Sequence, residues 1–182
     1  MTQFEAFDKH VEVNGESVLS VVDGMGFFKQ KAYDILLKNG IKEPKVGEWY
    51  SQKSWLNAFK EISKIMGTKT LRLIGQKIPE NANFPPEISS FEIALGSIDI
   101  AYHMNHRNGE IGNYKFLGVT EGKKEAEMIC ENPYPCDFDQ GIIESMAKRF
   151  KPKDSLSVSI KHADGDCRNN GHQYCKYIVF WF

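Results

Sequence analysis

Near residue 110 the apolar period of the chain changes, and this limits the fold more than any other feature. Before that point apolar residues recur every three or four positions, as on one helical face. After it they alternate, as on a strand with one buried side. In SQKSWLNAFKEISKIMG, Trp55, Phe59, Ile62 and Met66 share a helical face, and Gly67 ends the run. Helices are also predicted over KQKAYDILLKNG, with Ala32, Ile35 and Leu36 inward and Gly40 as a left-handed terminator, and over TLRLIGQKI. A further helix covers EISSFEIALGSIDIAYHMNHR. There Pro85 and Pro86 suit a first turn, and Ile88, Phe91, Leu95, Ile98 and Tyr102 form a stripe. Asn14-Gly15 between short apolar runs is a hairpin signal, although ESVLSVVDGMGFF also reads as a helix weakened by Gly24 and Gly26.

The C-terminal part reads differently. NYKFLGV and KEAEMICE form a strand pair, with Ala126, Met128 and Cys130 on one face of the second. In CDFDQGIIESMAKRF, Phe138, Ile142, Met146 and Phe150 lie four apart on a helix that Asp137 or Asp139 can cap. LSVSIKH and YCKYIVFWF are two more strands, and the last, apolar on both faces, suits a central position. The fold class is therefore α+β: N-terminal helices packed on a C-terminal antiparallel sheet, in the order strand-strand-helix-strand-strand. The 182 residues suit a single domain, with a mainly helical part over 1–109 and an α+β lobe over 110–182.

A net charge of -1 gives no basic footprint for nucleic acid. No apolar run reaches the ~18 residues of a membrane span, and the N-terminus lacks the apolar region of a secretory signal. A cytoplasmic protein is expected, and there structural disulfides are disfavoured. The motifs of serine hydrolases, P-loop and dinucleotide enzymes and zinc proteases are absent, so an enzyme is the less favoured reading.

The segment HADGDCRNNGHQYC concentrates the polar chemistry. Zinc takes four ligands, usually Cys, His or carboxylate. Cys136 sits at a helix start, where the dipole favours a thiolate. Cys167 lies in a hairpin loop and Cys175 at the base of the returning strand. If helix and hairpin pack together the three thiols converge, and Asp164, three residues before Cys167, can supply a fourth ligand. The competing reading is a polar loop that turns at Asp164-Gly165 and Asn170-Gly171. Cys130 shares an apolar strand face and reads as core.

YPCDFDQGIIESMAKRF followed by DGDCRNNGHQYCKYIVFW resembles the 4-vinyl-reductase-type small-molecule-binding domain. The element order resembles its wider superfamily, with haem–nitric-oxide-binding domains and TRAPP trafficking subunits. The resemblance is strongest over residues 110–182. It implies a structural zinc held by three cysteines and one acidic residue, matched here by Cys136, Asp164, Cys167 and Cys175. Asp stands where phenol-sensing relatives have Glu, and His162, Asp166 and His172 are substitute ligands. The cysteine site could also take iron.

The resemblance also implies a pocket between helices and sheet for a small hydrophobic or aromatic molecule. Trp55, Phe59, Tyr102, His103 and His106 are its candidate ligand-binding residues. In the haem-binding relatives a helix here supplies the proximal histidine, which points to His103. Their Tyr-x-Ser-x-Arg motif is absent. The resulting expectation is a non-enzymatic sensor or carrier with a structural zinc, acting as a homodimer with a protein signalling partner. A haem- or tetrapyrrole-binding protein is the first alternative. A protein-interaction scaffold is the second.

Overall fold

The computed structural model describes residues 3–165 and 167–182. Two antiparallel sheets and six helices share one hydrophobic core. The larger sheet contains β4 (Asn113–Val119), β5 (Glu125–Glu131), β6 (Val158–His162) and β7 (Cys175–Trp181), in the order β4-β5-β7-β6. The element order strand-strand-helix-strand-strand is as expected, since α6 (Cys136–Arg149) joins β5 to β6. β7 is internal, but its burial alternates: Cys175, Tyr177 and Val179 are fully buried and their neighbours only partly so. On β5, Ala126, Met128 and Cys130 face the core as their spacing requires.

The N-terminal half supplies α1 (Gly15–Gly24), α2 (Lys29–Lys38), α3 (Gln52–Met66), α4 (Thr68–Asn81) and α5 (Phe91–Met104). It also holds a small sheet absent from the sequence reading: β1 (Glu12–Asn14) between β2 (Trp49–Ser51) and β3 (His106–Arg107). These strands span two or three residues, too short for periodicity to register.

Three local expectations are corrected. Asn14-Gly15 is not a hairpin turn: the Asn14 side chain accepts from the Ser17 amide at 2.9 Å and caps α1. Gly15 is required there, because a Cβ would lie 1.8 Å from the Lys45 carbonyl oxygen. Pro85 and Pro86 precede α5 by several residues, and Ser90 is its N-cap, accepting from the Ile93 amide at 3.3 Å. α6 starts after Pro135 with no side-chain cap, so the acids in its first turn are free for other work.

α4 and α6 cross closely at two glycines. A Cβ on Gly75 would meet the Phe138 carbonyl oxygen at 2.1 Å, and one on Gly141 would meet that of Arg72 at 2.1 Å. This crossing brings the first turns of α6 against α3 and α4. Phe138 then packs on Phe59 (centroids 4.8 Å) and Trp55 (5.8 Å).

Candidate functional site

Two features flank α6: a cluster of thiols at its start, and a cavity along its length. The thiols converge because the helix start meets the base of the β6–β7 hairpin. Cys136 Sγ lies 3.1 Å from Cys175 Sγ and 3.5 Å from Cys167 Sγ. The fourth member is His162 at the end of β6. The four potential ligand atoms all lie within 4.8 Å of one another. His162 Nδ1 is 2.9 Å from the Ala163 carbonyl, which makes it the donor nitrogen, and among the described residues buried Nε2 has no hydrogen-bond partner. Strand pairing explains its position: His162 lies opposite Tyr177, two residues from Cys175, so all three occupy one face.

Asp164 stands elsewhere. Its side chain is 91% exposed and pairs with Lys161 Nζ at 3.0 Å, beyond the last strand residue. Asp166 lies outside the described residues. His172 is exposed.

The electrostatics favour a thiolate at Cys175. The Cys136 thiol donates to it, and His162 and the Arg168 guanidinium add to the effect, pushing its pKa down to about 3. Cys136 moves up, because it shares that hydrogen bond and is largely buried. Interaction with Cys175 raises His162 in turn. Gln3 Nε2 also reaches Cys136 Sγ at 2.6 Å.

Behind the thiols lies a buried polar network that the sequence reading missed. Arg168 follows Cys167 and is only 2% exposed. Its Nε lies 3.2 Å from Cys175 Sγ, its Nη1 donates to Asn132 Oδ1 at 2.6 Å, and its Nη2 pairs with Asp139 Oδ2. Asp139, read from sequence as a helix cap, is fully buried. Its other oxygen accepts from the Tyr114 hydroxyl at 2.6 Å. Burial raises the Asp139 carboxyl to about 6, against the lowering effect of Arg168. A wholly buried Arg–Asp pair is uncommon, but the partners lie 29 residues apart and no local pattern links them.

The cavity has a volume of about 670 Å³. That falls within the ~300–1,000 Å³ of small-molecule sites. Its walls come from α5 and the segment before it (Phe84, Ile88, Ile98, Tyr102), from α6 (Phe138, Ile142, Met146), and from Trp55, His106, Tyr114 and Tyr134. Lys77, Asn81 and Asn83 add polar groups.

Trp55, Tyr102 and His106 are therefore brought to this space. Phe59 is buried behind Trp55, ring centroids 4.8 Å apart, and is not a lining residue. His103 is not one either: its side chain is 52% exposed and lies 3.5 Å from the Asp99 carboxylate.

His106 stands on the wall of this cavity. Nδ1, 2.8 Å from the Tyr102 carbonyl, is the donor, so Nε2 carries the lone pair. Nε2 accepts from the Tyr134 hydroxyl at 2.6 Å, and that hydroxyl in turn accepts from Gln52 Nε2 at 3.1 Å. Burial keeps the imidazole neutral, with its pKa at about 4. Trp55 Nε1, also buried, has no hydrogen-bond partner among the described residues.

No family model and no curated protein matches the sequence. Solved structures do match the fold. An oxygen-binding H-NOX domain related to soluble guanylate cyclases, in its oxygen complex, is 16% identical, with 92% of each chain covered and a TM-score of 0.62. A variant H-NOX from T. Tengcongensis is 16% identical over 92% of this chain and 97% of that one, at a TM-score of 0.64. An H-NOX protein from S. oneidensis in its Fe(II)NO state is 11% identical over 93% of this chain and 99% of that one, at 0.62. The fold is thus that of H-NOX domains, one of the groups that the element order resembles; these matches name neither the 4-vinyl-reductase-type domain nor TRAPP subunits. Among the described residues no helix is long and apolar enough to cross a membrane.

Proposed function

We propose that this chain is a ligand-binding sensor domain whose cavity takes haem and whose thiol cluster holds a structural zinc ion. One observation carries the haem reading. In a fold shared with haem-based H-NOX domains, the ligand-sized cavity has one buried, neutral imidazole on its wall.

The donor set fits. The Nδ1–H bond to the Tyr102 carbonyl orients the His106 ring, and Nε2, which now accepts from the Tyr134 hydroxyl, would be the atom that holds the iron. Ile98, Ile142, Met146 and Phe84 provide apolar faces and exclude water. Lys77, Asn81 and Asn83 line the same space and would be the partners for haem carboxylates in place of the missing Tyr-x-Ser-x-Arg motif, with Lys77 giving up its pairing with Glu80 and Asn81 its bond to Asp23. When bound, haem supplies the iron at which a diatomic gas coordinates. The chain's own residues would orient the His106 imidazole, exclude water and offer the Trp55 Nε1–H as a hydrogen-bond donor in the same cavity.

Zinc fits the cluster on similar grounds. Zn–S bonds of ~2.3 Å in a tetrahedron set thiolates ~3.8 Å apart. The observed 3.1 and 3.5 Å need only a slight expansion. Cys136, Cys167, Cys175 and His162 form the ligand set, with His162 in the role first given to Asp164. Four protein ligands make a closed site, which suits structure rather than catalysis.

Hemin titration tests the first reading. Wild type and His103→Ala should develop a Soret band, and His106→Ala should not. A band that survives His106→Ala overturns the assignment. A second reading, a small metal-free aromatic ligand, is favoured by one observation. Tyr134 already engages His106 Nε2, while the Trp55 N–H is left for an acceptor oxygen. A protein that takes up no hemin would move the account there. The scaffold alternative expected a closed interior, and a ligand-sized cavity is present instead.

A further inference from the structure

We infer that Arg168 is the positioning residue through which the thiol cluster sets the walls of the ligand cavity. The inference rests on the zinc reading of that cluster. Arg168 belongs to the turn that also presents Cys167, so any group holding Cys167 and Cys175 together fixes the start of its side chain. From there two routes run to the cavity. In one, Nη2 pairs with Asp139, and Asp139 accepts from the Tyr114 hydroxyl at 2.6 Å. In the other, Nη1 donates to Asn132 Oδ1 at 2.6 Å, and that oxygen also accepts from the Tyr134 amide at 2.9 Å. Tyr114 and Tyr134 are both lining residues, and Tyr134 holds His106 Nε2.

Every member of this network is buried, so water cannot replace a lost partner, and a shift at one end is passed on. The guanidinium presents its donors in a rigid fork, which lysine would not reproduce. A loosened turn would move Arg168, free Asp139 and release the Tyr114 hydroxyl. Ligand affinity would then depend on whether the cluster is filled.

The test uses the full chain labelled at the ζ-carbon of tyrosine, whose resonance reports the hydrogen bonding of each phenol. Tyr114 and Tyr134 are assigned by Tyr→Phe variants, with exposed Tyr33 as the control. Zinc is measured by elemental analysis, then removed by chelator under reducing conditions. The expected result is that the Tyr114 and Tyr134 resonances move while Tyr33 stays. Asp139→Asn should abolish the Tyr114 response and keep the zinc. Arg168→Lys should weaken both responses.

Zinc loss that leaves both resonances in place overturns the inference and spares the zinc reading. Collapse of the dispersion of all 7 tyrosines also overturns it, because the effect would be unfolding. Protein that binds no zinc overturns the zinc reading, and the coupling with it.

Discussion

The two regions that flank α6 are built on opposite terms. At its start, charged and polar groups are packed at full contact: the sulfurs of Cys136, Cys167 and Cys175, the Arg168 fork and the Asp139 carboxylate. On another side of the helix, Phe138, Ile142 and Met146 face about 670 Å³ of space lined mostly by apolar side chains. One region is defined by what it packs together. The other is defined by what it lacks. The difference shows where stability and recognition are separated. The polar cluster fixes the backbone on which the cavity's tyrosines stand, and the cavity stays free to accept a ligand.

The largest effect should come from breaking the packed region. Asp139→Ala leaves the Arg168 charge buried and unpaired, which should cost about 3–5 kcal/mol, read by urea unfolding. A loss under ~1 kcal/mol would mean that water reaches the pair.

The cavity region should show itself in pH dependence. The folded pKa of His106, about 4, lies below the unfolded value of 6.5. Between those values the unfolded chain binds more protons, so this contribution to stability rises with pH and is complete above 6.5. His106 should therefore contribute about 2 kcal/mol less stability to the haem-free protein at about pH 5 than above pH 7. Asp139, raised to about 6, works in the opposite direction over the same range, so the His106 part is read as the difference between wild type and a variant. His106→Gln should lack that increment. An unchanged slope would place His106 in contact with water.

The crossing that holds both regions in place should respond less. Gly75→Ala forces α4 away from α6, costing about 1–3 kcal/mol, offset by ~1 kcal/mol of helix propensity. Its thermal midpoint should fall by a few degrees, about 2–4 °C per kcal/mol for a chain of this size. The smallest effect is expected at Asp164. Asp164→Asn should keep full zinc content, whereas His162→Ala should lose it, as elemental analysis can show. The reverse result would return the carboxylate to the ligand set.

Much of this was legible in the sequence where the physics is local. The stripe Trp55, Phe59, Ile62 gave α3, and the alternation Ala126, Met128, Cys130 gave β5. The convergence of Cys136, Cys167 and Cys175 followed from a helix start meeting a hairpin base. What escaped depends on pairing over distance. His162 joins the thiols because of the β6–β7 register, whereas Asp164, closer to Cys167 in sequence, has already left the strand. Asp139 looked like a cap because acids favour a first helical turn, and its partner lies in another element. His103 and His106, three residues apart, are separated by the end of α5. His103 stays on the exposed side of the helix, and His106 turns inward on β3.

The most direct measurement is the zinc and iron content of one sample after hemin reconstitution and desalting, in wild type, His106→Ala and Cys175→Ser. The account predicts about one zinc and one iron per chain in wild type. His106→Ala should keep the zinc and lose the iron, and Cys175→Ser should lose the zinc. Iron retained in His106→Ala, or wild-type protein that holds neither metal, would contradict it.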